Sequence, residues 1–462
     1  MKFCIKKKLN LIALSVISLI SCSTYAKNSQ EAEVDALIRE AMLYAYPYHE
    51  FLKMRHASLE VQGSATESKI NKFRHSRNLA SPKDRWANAP IRDTLYSTAW
   101  LDLDQTPVTI DLPDTDGRYY VIGMYGADIN PFSHVGQRLS GTASRKVAVV
   151  GPKWNGVVHG VDQIVRSPTR DVYLNMRVLV KNDEDIKEAN KIQDKFIITP
   201  LLNSEKNNPV NKPEEKSWKS FVNLANEAIK RNPPPNRESK ILEKFSKVGI
   251  CGEKCSWEKM DASLRDKWMK VAPNVEKNEL KNRLNADRKV SLSDGVLNGW
   301  IPFRLPNGFG DDYLTRAGAA AMSGAMLGLE AAEAVYFFAN VDENKKPLGN
   351  GNSYRLRLPS GKLPADAFWS IAIYEFSDGG QYMVENSINR YAISDRSQGL
   401  KFNSDGSLDI IVQPNDPGGD YHNNWLPSPK QNTFYLFARA YQPWPEVLDP
   451  SWTLEPVQKV SP

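Results

Sequence analysis

The sequence predicts a mainly β protein with α-helical insertions, built as two β-sandwich or jelly-roll-like modules. Three observations carry this: aromatic and β-branched runs between residues 95 and 180, a charged, proline-interrupted helical stretch over 182–292, and a return to short strands from residue 353. The expected division is 1–26 as a signal peptide, 27–190 as an N-terminal β-rich domain with a leading helix, 191–334 as a helical and turn-rich connecting region, and 335–462 as a C-terminal sandwich or jelly-roll-like domain.

At the N-terminus, Lys2, Lys6, Lys7 and Lys8 precede an apolar run from Leu9 to Cys22, and small residues follow. The run is shorter than the roughly 20 residues a transmembrane helix needs, and its flanks are those of an export signal. Three outcomes are open. Thr24 and Ala26 before Lys27 fit cleavage to a soluble product, Leu19-Ile20-Ser21-Cys22 resembles a lipoprotein box, and the segment can be retained as an anchor. The expected location is periplasmic or secreted, with a lipoprotein at Cys22 as the alternative. Losing the four lysines takes the formal charge from +6 to +2, which leaves no coherent basic field for nucleic acid.

Val34, Leu37, Ile38, Ala41 and Ala45 recur at helical spacing, which predicts an amphipathic helix over 33–46 that Pro47 ends. Strands are expected over 95–103, 108–112, 119–125, 146–151 and 171–180, with turn chemistry at Asp114-Thr115-Asp116-Gly117. Helices are expected from 186, over 221–229, 238–248 and 260–272, interrupted by 199–213 and by Pro233-Pro234-Pro235. A small-residue helix over 313–335 follows; Arg316, Glu330 and Glu333 make it a buried soluble helix rather than a membrane element. Strands return over 353–358, 368–375, 409–413 and 433–440.

Cys251 and Cys255 point to a local disulfide in an oxidising compartment. Their spacing is not that of a redox Cys-X-X-Cys pair, and the nearest histidines, His159 and His422, are too remote in sequence to complete a zinc site. No metal or cofactor is expected.

The residues singled out for ligand contact are His134, Trp369, Tyr374, Asn386, Arg390, Asn424, Trp425 and Arg439. Arginine offers a rigid fork of donors, asparagine donates and accepts, and tryptophan or tyrosine covers a ring or sugar face. Each also has a structural reading: an arginine buried against carbonyls, or a tryptophan packed at a sheet edge, as for Trp300 and Trp444. An enzyme reading adds Asp102, Asp128 and His159 as proton-transfer groups beside His134, but no nucleophile elbow, metal motif, phosphate loop or dinucleotide fingerprint organises them.

Three stretches over 119–128, 151–156 and up to Val180, together with Phe368-Trp369-Ser370, Asn389-Arg390-Tyr391, Asn424-Trp425-Leu426-Pro427 and Tyr441-Gln442-Pro443, carry a family resemblance. The chain resembles the paired bacterial families known as domain of unknown function 1254, over roughly residues 60–190, and domain of unknown function 1214, over roughly 335–455. The resemblance implies a secreted or envelope-associated protein with sandwich-like β domains. It assigns no function to Cys251 or Cys255. The expected role is binding of a polar ligand, carbohydrate or protein partner in the envelope; the alternative is a hydrolase acting on a small or envelope-derived substrate. Whether the chain is an enzyme stays open, and homo-oligomerisation through sheet edges is a further expectation.

Overall fold

The first helix runs through the proline expected to end it. In the computed structural model, which describes residues 4–64, 67–84, 89–202, 208–281, 296–305, 308–321, 328–377 and 380–460, α1 spans Cys4–Leu59 with Pro47 inside it. A mid-helix proline costs about 3 kcal/mol. Here Ile38, Ala41, Met42, Tyr44, Ala45, Tyr48, Phe51 and Leu52 are nearly fully buried, and helices in proteins owe most of their stability to such packing. Burial therefore outweighs the lost hydrogen bond.

The fold is mixed α/β, with four sheets among the described residues. The first has the order β1 (Arg74–His75), β2 (Thr94–Asp102), β8 (Asp171–Leu179), β4 (Tyr120–Tyr125), β5 (Pro131–Gly136), and all its pairs are antiparallel. The second has the order β7 (Gln163–Arg166), β6 (Arg145–Val150), β3 (Val108–Leu112), β9 (Ile197–Pro200). Residues alternate across a strand. Leu101, Ile122 and Leu174 of the first sheet therefore meet Val108, Ile110 and Val149 of the second in one buried cluster. β9 pairs with β3, so this sheet draws on chain beyond residue 190.

The third sheet has the order β10 (Trp300–Phe303), β11 (Ala334–Ala339), β18 (Phe434–Pro443), β13 (Ala365–Ser377), β14 (Gly380–Met383), with β15 (Ala392–Ser394) also on β13. The fourth has the order β17 (Trp425–Pro427), β16 (Leu408–Gln413), β12 (Ser353–Leu358), β19 (Gln458–Val460). Val335, Phe337, Ile371 and Leu436 pack against Leu356, Ile410 and Val412 in a second buried cluster.

The helices α2 (Gln137–Ser140), α3 (Ile186–Gln193), α4 (Trp218–Arg231), α5 (Ser239–Ser246), α6 (Ala262–Val275) and α7 (Tyr313–Ala321) complete the framework. Side-chain oxygens of Ser217 and Asp261 cap the N-termini of α4 and α6. Cys251 and Cys255 are disulfide-bonded, with Cα atoms 5.4 Å apart. Asn226 of α4 pins this loop, its Oδ1 accepting from the backbone N–H groups of Cys251 at 2.9 Å and Gly252 at 2.8 Å.

The helix expected over 313–335 is shorter than its sequence pattern. α7 is described as far as Ala321, residues 322–327, with Met322, Ala325, Met326 and Leu327, lie outside the described residues, residues 328–333 are not helical, and from Ala334 the chain is strand β11. The period-2 order of Val335, Phe337 and Ala339 against Tyr336 and Phe338 follows directly on alanine-rich, helix-favouring sequence, which conceals it. Among the described residues no helix is long and apolar enough to cross a membrane.

Candidate functional site

Each large sheet uses one face for its buried cluster, and the remaining faces turn toward each other. On the first sheet that face carries two cross-strand rows: Tyr96, Arg177 and Val121, then Thr98, Asn175, Gly123 and His134. On the third sheet it carries Tyr336, Arg439 and Ser370, flanked by Phe338 and Phe437. The faces meet above these rows, where the Tyr119 ring lies 5.3 Å from Phe368 and 5.6 Å from Tyr441. Below them the first sheet meets α1, with Trp100 and Phe51 ring centroids 5.0 Å apart.

Between these contacts burial is incomplete among the described residues. Tyr96 and Thr98 on β2, Tyr336 on β11 and Phe437 on β18 keep partial exposure, although Val121, Ser370 and Tyr441 beside them are buried. This partly exposed stretch between packed rows is the candidate recess, since interfaces between modules are preferred ligand sites. At Gly123 the close approach has a use: a Cβ there would sit 2.6 Å from the Tyr125 hydroxyl. The Tyr125 ring lies back over this strand and donates to the Gly328 carbonyl at 3.1 Å.

The recess is cationic and aromatic. The Arg177 guanidinium lies 5.7 Å from the centre of the Tyr96 ring. Arg439, only 2 % exposed, lies 4.2 Å from the Phe437 ring centre and donates from Nη2 to the Ala89 carbonyl at 2.9 Å and the Tyr374 hydroxyl at 3.1 Å. Tyr374 in turn donates to the Pro90 carbonyl at 2.8 Å. Burial pushes the Tyr374 phenol up to about 12, against the opposing charge of Arg439, and pushes Tyr441 up further. The Tyr374 and Tyr441 phenols are therefore neutral at neutral pH and add no negative charge beside the guanidinium, on which Asp93 acts through space.

A strap of chain before β2 holds the two large sheets together. The Ala89 N–H donates to the Gln381 carbonyl, Ala89 and Pro90 accept as above, and Asp93 accepts from the Ser370 hydroxyl at 2.6 Å and pairs with Arg396. At the rim stands a second polar group. The Tyr119 hydroxyl donates to Glu333 at 2.6 Å, Arg138 donates to Glu333 at 2.7 Å and also pairs with Glu330, and His134 Nε2 lies 2.8 Å from Arg138 Nη2 and 3.4 Å from Glu333. Burial pushes the Glu333 carboxyl up, but hydrogen bonds from His134, Tyr119 and Arg138 outweigh it and hold the group below the usual carboxylate range.

Asp102 is held low in the same way, burial being outweighed by Arg170. Carboxyls with depressed folded values contribute stability that is complete above their unfolded range, about pH 4, and lost as the pH falls through the folded values. Thermal melts are thus expected to fall in midpoint below about pH 4, and Glu333→Gln is expected to make that acid loss shallower.

The residues singled out from sequence fall into four places. Tyr374 and Arg439 share the recess, and His134 lies at its rim. Asn386, Arg390, Asn424 and Trp425 form a separate group joined by main-chain bonds: Arg390 donates to the carbonyls of His422 at 2.6 Å and Trp425 at 3.0 Å, Asn386 accepts from the Arg390 N–H at 3.0 Å, and Asn424 bridges Lys401 and Asp409. Trp425 donates to the Gln413 carbonyl at 2.7 Å. Trp369 lines a different cavity of about 440 Å³ with Lys362, Asp395, Ser397 and Phe402. No hydrogen bond or ion pair among the described residues joins His134 to Arg390 or Asn424. Asp102 and Asp128 are engaged with Arg170 and Arg316.

Sequence reasoning missed Tyr96, Asn175, Arg177 and Tyr336. Arg177 carried a signal, a charge inside the apolar run 172–180, where only a satisfied or functional group is tolerated. Among the described residues no group of three or more His, Cys, Asp or Glu is arranged to hold a metal.

Residues 70–200 match the family model described as protein of unknown function (DUF1254), and residues 333–445 match that of protein of unknown function (DUF1214). The resemblance drawn from the sequence motifs is borne out. The VPA0106 protein from Vibrio parahaemolyticus is similar in structure, with TM-score 0.70 and 23% identity over 93% of this chain and 100% of that one. A putative uncharacterized protein from Burkholderia cenocepacia aligns at TM-score 0.46 and 13% identity, over 96% of this chain and 98% of its own. No curated protein matches.

Proposed function

From a chain that matches the DUF1254 model in one half and the DUF1214 model in the other, we propose an exported envelope protein that binds a small polar ligand between the two. One observation carries this reading: the recess takes Tyr96 and Arg177 from the first matched segment and Tyr336, Tyr374 and Arg439 from the second. A site divided in this way needs both segments in one chain. Export rests on the basic and apolar N-terminus, with the periplasm or exterior as location and a lipoprotein at Cys22 as the variant form. On this reading each matched segment is a sandwich-like module, supported by the buried clusters that pairs of sheets share. The Trp369 cavity is a second place for a polar ligand or sugar.

The test is a ligand-observed NMR screen of small hydroxylated and charged fragments against wild type and Thr98→Trp. Thr98 is partly exposed on the face of β2 that carries the candidate site, and an indole there is expected to occupy the ligand's place. The expected result is a set of mutually competing binders that the variant no longer takes up, at unchanged circular dichroism. Binders that persist in Thr98→Trp contradict the reading.

The hydrolase reading has its own support in His134, which sits on the row with Asn175 and beside Glu330, Glu333 and Arg138. It requires turnover of a recess ligand that His134→Asn abolishes while binding survives.

A further inference from the structure

Resting on the Trp369 cavity as a second binding place, and independently of the recess, we infer that this cavity takes a neutral sugar ring, a pyranose whose hydroxyls bond to Asp395 and whose apolar face lies on Phe402. The cavity holds about 440 Å³, within the roughly 300–1,000 Å³ of small-molecule pockets. It lies at one end of the third and fourth sheets, between the turn that joins β12 to β13 and the loop that follows β15. Trp369, a residue of the cluster these two sheets share and 3 % exposed, forms the buried side of its lining. Ser360, Lys362, Asp395 and Phe402 in the same lining are exposed, so the cavity is open to solvent.

The lining has hydrogen-bonding capacity to spare. Asp395 accepts from the Trp369 backbone N–H at 3.4 Å and from Arg396, both at Oδ1, which leaves Oδ2 without a bond from another described residue. Burial pushes the Asp395 carboxyl up, with Arg396 opposing, as for a carboxylate short of donors. Ser397 Oγ accepts from the Ser394 N–H at 3.0 Å and keeps its own proton to donate. The Trp369 Nε1–H meets no acceptor among the described residues and, unlike those of Trp100 and Trp154, is not sealed from solvent. One acceptor of high strength and two donors thus border the same space.

The charges argue against a simple ion. Asp395 is already paired with Arg396, so no cation is called for, and a free anion would meet the Asp395 carboxylate. The Lys362 ammonium stands 4.7 Å over the Trp444 ring, outside the lining, so Lys362 gives the cavity its stem. A purely apolar ligand would strip water from Asp395 with no bond in return. The apolar part of the lining is flat: Phe402 is 49 % exposed and bridges by its backbone to Leu408, the first residue of β16. A Cβ at Gly361 would lie 3.0 Å from the Phe402 ring, so bare backbone there lets the ring rest against the turn. A pyranose matches both halves. Its hydroxyls donate to a carboxylate through charge-assisted bonds and accept from N–H and O–H, and its C–H face covers an aromatic ring.

The probes are the methyl pyranosides of glucose, galactose, mannose and N-acetylglucosamine, with phenylalanine and benzylamine as charged controls, followed by saturation-transfer NMR with wild type, Asp395→Asn, Ser360→Trp and Thr98→Trp. The expected result is a pyranoside that wild type and Thr98→Trp bind alike, that Asp395→Asn binds at least about tenfold more weakly, and that Ser360→Trp does not take up. Absence of any pyranoside binding, or binding that Asp395→Asn leaves unchanged, overturns the sugar inference. If a charged control is then bound by wild type and lost in Ser360→Trp, the cavity stands as a site of other chemistry; if no probe responds to Ser360→Trp, the cavity reading falls as well. A pyranoside lost in Thr98→Trp belongs to the recess and also overturns the inference. Should Asp395→Asn not fold, Phe402→Ala at its exposed position decides, with weaker pyranoside binding expected and unchanged binding contradicting. Among binders from the fragment screen, those that Thr98→Trp retains and Ser360→Trp loses sit in this cavity, and those that both variants retain count against the recess.

Discussion

Replacing Asp171 with alanine is expected to lower the unfolding free energy by about 3–5 kcal/mol, the cost of removing one partner from a buried ionic network. Asp171 is fully buried at the start of β8 and ties this strand to two helices. Arg231 at the end of α4 donates to both of its carboxylate oxygens, at 2.9 and 3.0 Å. Arg55 of α1 lies 3.3 Å away, and Asn232 exchanges bonds with both its backbone and its carboxylate at 2.8 and 2.9 Å. The alanine leaves guanidinium charge in the interior, and Asp102, already held by Arg170, is 3.9 Å from Arg231. Urea denaturation measures the effect as a lower midpoint at constant slope. Asp171→Asn, which keeps shape and some hydrogen bonding, is expected to lose less.

Trp100→Ala is expected to cost about 3–5 kcal/mol as well, by cavity formation. Trp100 is 1 % exposed and wedged between Phe51 of α1, at 5.0 Å, and Tyr173 of β8, at 4.8 Å. The indole is thus a main contact between the long helix and the first sheet. Its Nε1 has no hydrogen-bond partner among the described residues, so its contribution is packing. Trp100→Phe, which loses volume but no hydrogen bond, is therefore expected to cost roughly half as much. Thermal melts of the two variants separate these contributions.

Local pattern reveals the elements of this chain better than it reveals the site. The run 108–112 and the run 171–180 alternate or are apolar throughout, because their strands are buried in a sheet core, and they appear in the structure as β3 and β8. Pro47 misleads because the packing that overrides it comes from helices far along the chain, Phe221 and Phe245 among them. β11 is hidden behind a helix-favouring alanine run, since its pairing partner β18 lies about a hundred residues later.

The site is harder still. Arg439 was visible as a charge amid aromatic residues, but its partner groups Ala89 and Pro90 lie some 350 residues away, and nothing local announces that the strap crosses there. Arg390 and Asn424 have the same composition of donors and rings, yet they hold loops through main-chain carbonyls. The difference between the two arginines is tertiary: one nitrogen of Arg439 remains without an acceptor, whereas Arg390 Nη1 has two.

Thiol labelling of Thr98→Cys under native conditions addresses the open space between the sheets most directly. In protein produced from residue 27 onward, with Cys251 and Cys255 bonded, the cysteine at position 98 is the single free thiol. A small methanethiosulfonate reagent is expected to label it in the folded protein at a rate independent of low urea concentrations, while a bulky maleimide is excluded. Labelling that proceeds only at the rate of global unfolding, rising with urea alongside it, would mean that the two faces are packed shut and would contradict the account.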